Sequence, residues 1–367
     1  MQTKEIKIGE TKFGKPVYFK IRDYGDTLIL GRHRYGKTTI AKTIVCGASD
    51  IRPVIIISPA FSQDYDDWYG LKYLNRNAEI KNCISFLKCI NNFSIKLSRF
   101  KDYDDWISLG FPDMASQYLK KLAPLKKVHN DDPNKFLKLL EELPRENIKI
   151  KEFNELHGIY LSARIDSNTY ASLINRFQFL AESEFFWYPN DTRHPVKDFK
   201  EIFILNPHVL IDLEDNDEVK ARAYVGVILK DLHSLLSKIR PMLVIDEADK
   251  VAPESDDFLK FPSSLRQLID YKHKYQKLGV NMILLTQEPK LLYQKLRINP
   301  DFIISGQIEP NIIPELTKEL IDKLYYDPDR NIRNFVLLNE NRSAMIFNPI
   351  KCPCALKGVK EKWNGRI

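Results

Sequence analysis

Residues 31–39 read Gly-Arg-His-Arg-Tyr-Gly-Lys-Thr-Thr, a GxxxxGK[ST] pattern filled by Gly31, Gly36, Lys37 and Thr38. Such a loop binds phosphate by converging backbone N–H groups on an anion. It needs glycines where a Cβ would block the approach, a lysine for the β- and γ-phosphates and a hydroxyl for Mg²⁺. The flanks agree: residues 26–30 (Asp-Thr-Leu-Ile-Leu) read as a buried strand and residues 39–45 as a helix. The helix N-terminus then faces the anion, where its dipole favours negative charge. Gly31, Arg32, His33, Arg34, Tyr35, Gly36, Lys37, Thr38 and Thr39 are therefore the expected nucleotide contacts. Arg32, His33, Arg34 and Tyr35 stand where small residues are usual. The arginines either touch phosphate, a neighbouring subunit or DNA, or point to solvent.

A second acidic motif lies far downstream. Residues 241–249 form an apolar run ending in Asp246 and Glu247, as a Walker B strand does. The first acid would hold Mg²⁺ together with Thr38, and the second would act as general base on the attacking water. The competing reading is a buried strand with a solvated acidic end. Residues 279–289 are another apolar run, with Thr286 and Gln287 at its exit. Strand exits line the ligand crevice of parallel α/β sheets. Gln287 is thus placed to sense the γ-phosphate or the attacking water, unless it is an ordinary loop residue.

Taken together, these motifs resemble the HerA/FtsK superfamily of DNA-pumping ATPases, including type IV secretion and viral genome-packaging ATPases. The resemblance rests on residues 31–38, 243–248 and 278–289, on Val209-Leu210-Ile211-Asp212-Leu213 before a long helix, and on residues 299–306 as a last core strand. It covers about 20–60 and 205–350. It implies an α/β, RecA-like P-loop core with a mostly parallel sheet flanked by helices. It also implies ATP and Mg²⁺ as cofactors, Lys37, Glu247 and Gln287 as catalytic residues, double-stranded DNA as partner and a homo-oligomeric ring, typically a hexamer. Arg266 and Arg297 are candidates for an arginine supplied in trans. Many relatives carry a Gly-Arg pair before the Thr-Gln strand; Tyr275-Gln276-Lys277-Leu278-Gly279 stands there instead, so no arginine role transfers to that stretch. Genome packaging, with a capsid or other protein partner, is the preferred role; repair and conjugation stay open. A nucleotide-gated assembly or recruitment module with slow hydrolysis is the rival from another class, suggested by bulky residues 32–35. An AAA+ or helicase enzyme is disfavoured by missing motifs.

The chain's 367 residues are 44% hydrophobic, enough for a packed core. A net charge of +7 is compatible with a polyanionic partner without identifying one. Five cysteines (Cys46, Cys83, Cys89, Cys352, Cys354) without a secretory signal suggest reduced thiols and a cytoplasmic location, the host's cytoplasm if viral. Cys352-Pro353-Cys354 lacks the spacing of a zinc site. No apolar run approaches the roughly 18 residues of a membrane span.

Val54-Ile55-Ile56-Ile57-Ser58 reads as the second core strand, continuous and β-branched as a parallel sheet requires. The long interval before Asp246 predicts a largely helical insertion over 61–200 between core segments 1–60 and 201–350, with 351–367 as a tail. Asp132 before Pro133 caps a predicted helix, and a second apolar stripe follows Thr169. Helices are also predicted over 224–239 and 265–278, the latter stopped by Gly279, with a closing hairpin at 335–338 and 344–347. Residues 81–106 read equally as helix or strand. Phe-Phe-Trp-Tyr at 185–188 is expected to pack within the insertion or at a subunit contact. Two basic stretches, 271–277 and 117–127, suit a phosphate backbone with occasional stacking. A solvated helix face is the alternative for each.

Overall fold

The computed structural model describes residues 4–33, 35–59, 68, 71, 84, 87–127, 131–147, 149–161, 164–213, 217–254, 263–327 and 332–351. A hairpin, β1 (Lys4–Glu10) and β2 (Pro16–Ile21), precedes β3 (Gly25–Leu30), α1 (Lys37–Ala48) and β4 (Val54–Ser58). Next come β5 (Lys88–Ile90), β6 (Phe93–Ile95), α2 (Tyr103–Ser108), α3 (Asp113–Leu122), α4 (Pro133–Glu141), α5 (Lys149–His157), α6 (Ser167–Glu182), β7 (His194–Val196) and α7 (Phe199–Leu205). The chain continues with β8 (His208–Asp212), α8 (Glu218–His233), β9 (Met242–Ile245), α9 (Ala248–Val251), α10 (Ser263–Asp270), β10 (Asn281–Thr286) and α11 (Gln294–Arg297). It closes with β11 (Phe302–Ser305), α12 (Lys318–Asp322), β12 (Tyr326–Asp327), β13 (Ile332–Arg333), β14 (Phe335–Leu338) and β15 (Ala344–Pro349).

Eleven strands form one sheet, ordered β2-β1-β15-β14-β11-β3-β10-β9-β4-β8-β5. From β11 to β5 every pairing is parallel; from β11 to β2 every pairing is antiparallel. The parallel strands are buried on both faces, so they read as unbroken apolar runs. Successive residues face opposite layers. Leu28, Leu30, Ile55, Ile57, Leu243 and Ile245 pack with the helices of 103–236, whereas Ile29, Ile56, Val244 and Ile283 pack with α1 and the β1–β2 hairpin.

The structure is α/β with a mostly parallel sheet flanked by helices, as the motifs predict. Within 61–200, Lys88–Ile90 is a strand of the main sheet, paired with β8. The helices that follow share one apolar cluster with the sheet. Phe185 and Phe186 are fully buried there, against Phe177, Phe100 and Tyr224. The capped helix starts at Pro133, with the Asp132 carboxylate accepting from the Asn134 and Lys135 amides at 3.0 and 3.4 Å. The stripe after Thr169 lies on α6, capped by Asp166, which accepts from the Thr169 amide at 2.9 Å. The 224–239 expectation overruns, since α8 ends at His233, Leu235 and Leu236 lie in turns and Ile239 lies beyond them.

Candidate nucleotide site

The register brings the motifs to one edge. Thr286 and Ser305 both lie level with Leu30, and Leu284 lies level with Ile245. The residues that follow, from Gly31, Asp246, Gln287 and Gly306, therefore leave the sheet together at its C-terminal edge, where such sheets bind ligands. Gly31 and Gly36 have φ of +156° and +96°, and Gly36 caps the 12-residue α1. The Lys37 amine, 7% exposed, donates to the carbonyls of Gly31 (2.9 Å) and Arg32 (3.1 Å). Thr38 and Thr39 follow in the first helical turn, both half-buried.

Two of the loop's bulky residues, Arg32 and His33, are exposed; Arg34 lies outside the described residues. The Tyr35 side chain turns inward. Its side chain is fully buried, edge-on to Phe335 (5.0 Å, 89°), with Oη 2.9 Å from the Tyr325 carbonyl and 3.0 Å from that of Asn334. Burial pushes its phenol up to about 12. Its ring fills the space where a Cβ on Gly306 would stand. Tyr35 thus anchors the loop from beneath.

At the end of β9, Asp246 is 7% exposed and accepts a 2.7 Å hydrogen bond from the Trp68 indole. Its other oxygen accepts from the Glu247 amide at 2.9 Å. Glu247 has φ +42°, a left-handed conformation uncommon outside glycine and concentrated at functional sites. Its carboxylate accepts from the Gln287 side-chain amide at 2.7 Å, so the sequence-predicted base and sensor touch. Burial raises the Glu247 pKa, assisted by the charges of Asp246 and Asp249; Lys250 and Lys37 oppose. Behind them Thr286 donates to Asp249, whose carboxyl burial also raises. Sequence reasoning missed Trp68, Asp249 and Arg333, which packs on Gly36. Only Asp249 and Thr286 had a local signal, as neighbours of the acidic pair and of Gln287.

A hard, strongly hydrated cation takes oxygen ligands. A hydroxyl at Thr38 and a buried carboxylate at Asp246, already held by N–H donors, fit that donor set. The two trans candidates differ. Arg297 is bonded to the Pro289 (2.9 Å) and Lys290 (3.1 Å) carbonyls and paired with Glu254 (3.3 Å); Arg266 is exposed on α10.

Of the basic stretch 271–277, Tyr271 and Lys272 are buried. A π-helical turn over Tyr271–Tyr275 turns part of it inward. Tyr271 is fully buried and donates to the Leu229 carbonyl at 2.8 Å. Lys272, 7% exposed, pairs with Asp26 at 2.7 Å and donates to the carbonyls of Leu296 and Ile298. His273, Lys274 and Lys277 are exposed, Lys274 pairing with Asp270 at 2.6 Å. In the other stretch Lys120 and Lys121 are exposed; the side chains of Lys126 and Lys127 lie outside the described residues.

No family model matches the chain, and no curated protein does. Solved structures do. VirB4 of Thermoanaerobacter pseudethanolicus is similar over 95% of this chain and 96% of its own, at 14% identity and a TM-score of 0.55. The bacterial conjugative coupling protein TrwB matches over 98% and 90%, at 14% identity and 0.54; it has also been solved with ADP and Mg²⁺. The genome-packaging NTPase B204 of Sulfolobus turreted icosahedral virus 2 matches at 11% identity over 90% of this chain and 100% of its own, with a TM-score of 0.42. The fold is that of the P-loop ATPases. More narrowly, it is the fold shared with TrwB and VirB4.

Proposed function

We propose that this chain hydrolyses ATP and uses the cycle to move double-stranded DNA, working as a ring of identical subunits. The observation that carries the reading is the 2.7 Å bond between Glu247 and Gln287 at the edge where the phosphate loop also emerges. It places a carboxylate of raised pKa and its amide partner beside the loop that would hold the triphosphate. When nucleotide binds, the Lys37 amine would exchange the Gly31 and Arg32 carbonyls for phosphate oxygens, a charge-assisted and stronger pairing. Thr38 and Asp246 would hold Mg²⁺, which neutralises charge developing on the phosphoryl oxygens. Glu247 takes a proton from water as that water attacks the γ-phosphorus and the bond to the bridging oxygen of ADP breaks. Gln287, released from Glu247, is then the group that reports on the γ-phosphate. The exposed Arg266 is the proposed partner-subunit cation, since Arg297 is tied within its own chain.

The DNA part of the proposal is supported by the fold shared with a conjugative coupling protein and by exposed Lys120 and Lys121 beside Tyr103. Tracking a duplex by its backbone is the same physical task in packaging, repair and conjugation; the proposal is the motor itself. The test is ATP turnover with and without unrelated duplex sequences, followed by electron microscopy with an ATP analogue and duplex. Stimulation by any duplex and rings around DNA are expected. Turnover indifferent to duplex sinks the motor.

A further inference from the structure

We propose that a cleft at the far end of α8 from the nucleotide edge is an anion site fitted to a phosphate group. Helix α8 starts at the nucleotide edge, where the Arg222 Nε donates to the Lys250 carbonyl at 2.8 Å. Lys230 and Asp231 lie near the other end, roughly 12 Å further along at 1.5 Å per residue. There they help to wall a cleft of about 280 Å³, whose lining holds five cations and four carboxylates. The site is separate from the phosphate loop and does not rest on that reading.

The carboxylates are already committed within the chain. Asp231 accepts from the Arg99 guanidinium and from the Phe199 amide at 3.0 Å. Asp105 accepts from the Lys230 amine and from the amides of Lys101 (2.8 Å) and Asp102 (2.9 Å). Asp198 accepts from the Lys200 amide at 2.8 Å, and Asp102 is the N-cap of α2. The cations are not all committed. The side-chain amines of Lys101, Lys197 and Lys200 pair with no carboxylate among the described residues. Arg99 is 7% exposed; its Nη2 holds Asp231 and its Cζ lies 5.3 Å from the Phe100 ring centre. Its Nη1 is buried with no hydrogen-bond partner. A buried donor without an acceptor is costly, so this one calls for an acceptor from outside the chain. Water would satisfy Nη1 but leave three ammonium charges unbalanced. A phosphate supplies several acceptor oxygens and negative charge together, and an arginine fork with lysine point charges suits it. The phosphate is either free or part of a nucleic-acid backbone, and the two sources are separable by experiment.

The test uses full-length chains carrying Lys37→Ala, which weakens nucleotide and phosphate binding at the loop. Calorimetric titration with inorganic phosphate compares Lys101→Gln with Lys197→Gln and Lys200→Gln against a charge-matched control, Lys135→Gln with Lys138→Gln and Lys149→Gln. We expect phosphate to bind roughly 10- to 100-fold more weakly in the first triple variant, the scale of lost charged hydrogen bonds, and at near-parental strength in the control. Arg99→Lys keeps a cation on Asp231 but loses the fork, so it should weaken binding less than the triple. If the source is a nucleic-acid backbone, the salt slope of duplex binding also falls by about one phosphate equivalent in the first triple. If the source is free phosphate, that slope stays parental. Melting temperatures without ligand show that each variant is folded. Parental phosphate affinity in the folded first triple, an equal loss in the control, or no phosphate binding before the lysines are replaced overturns the proposal. Parental ATP affinity in Lys37→Ala overturns the phosphate-loop reading instead, and the two triples still decide the cleft.

Discussion

Two nearly buried lysines stand at opposite ends of the central parallel strands, and they do opposite things. Lys37, above β3, is 7% exposed and holds two carbonyls of its own loop. Lys272, below β3, is equally buried and also holds two carbonyls, but it adds the carboxylate of Asp26 at 2.7 Å. A buried charge paired with an opposite buried charge is structural: removing one partner strands the other in low dielectric. The Lys37 ammonium, whose charge also acts on Glu247, stands where a phosphate entering the loop could take it over. The upper edge should therefore respond to substitution in rate and the lower edge in stability.

The largest expected effect is at the upper edge. Glu247→Gln should keep ATP binding and lose turnover by about two to four orders of magnitude, the scale of removing a general base. Steady-state hydrolysis and a binding titration on one preparation check it; parental turnover breaks the assignment. At the lower edge, Lys272→Met should destabilise by about 3–5 kcal/mol through the stranded Asp26. Denaturant unfolding measures this, and Asp26→Leu in the same chain should restore much of the loss. If folded Lys272→Met instead loses nucleotide affinity as Lys37→Ala does, the two ends are not separate.

Acidity sharpens the comparison further. Burial and the Asp246 and Asp249 charges raise the Glu247 pKa above its ordinary 4.5. A base works deprotonated, so turnover should fall with falling pH at an inflection higher than that value. Asp249→Asn should move the inflection down; an unmoved inflection assigns the pH profile to another group. Smaller still, Lys120→Gln with Lys121→Gln should lower the salt dependence of duplex binding by about two phosphate equivalents. An unchanged slope removes α3 from the DNA surface.

Sequence made the upper edge legible because anion chemistry needs particular residue types at short spacing. Gly31 to Thr38 and Asp246-Glu247 could be read as they stand, and the six-residue β10 carried its own apolar signal into Gln287. The lower edge was not legible. Lys272 lies in a cationic, aromatic run that looks solvent-facing, and only the π-helical turn aims it at Asp26. The inward side chain of Tyr35 was hidden for a related reason: its partners Tyr325, Asn334 and Gly306 are contributed by the far end of the chain. The β1–β2 hairpin went unread because its alternating pattern is short and half-exposed. Trp68 could not be tied to Asp246 without the fold that joins them.

The anchor beneath Tyr35 has a consequence for the order in which this protein matures. The carbonyls that hold it lie 290 and 299 positions further along the chain. A ribosome elongating at about 5–20 residues per second exposes the phosphate loop well before those carbonyls exist. The nascent chain thus carries the whole GxxxxGK[ST] motif without the floor that sets its height. ATP binding should switch on late in synthesis, once β14 has slotted beside β11, and a half-made chain should bind no nucleotide.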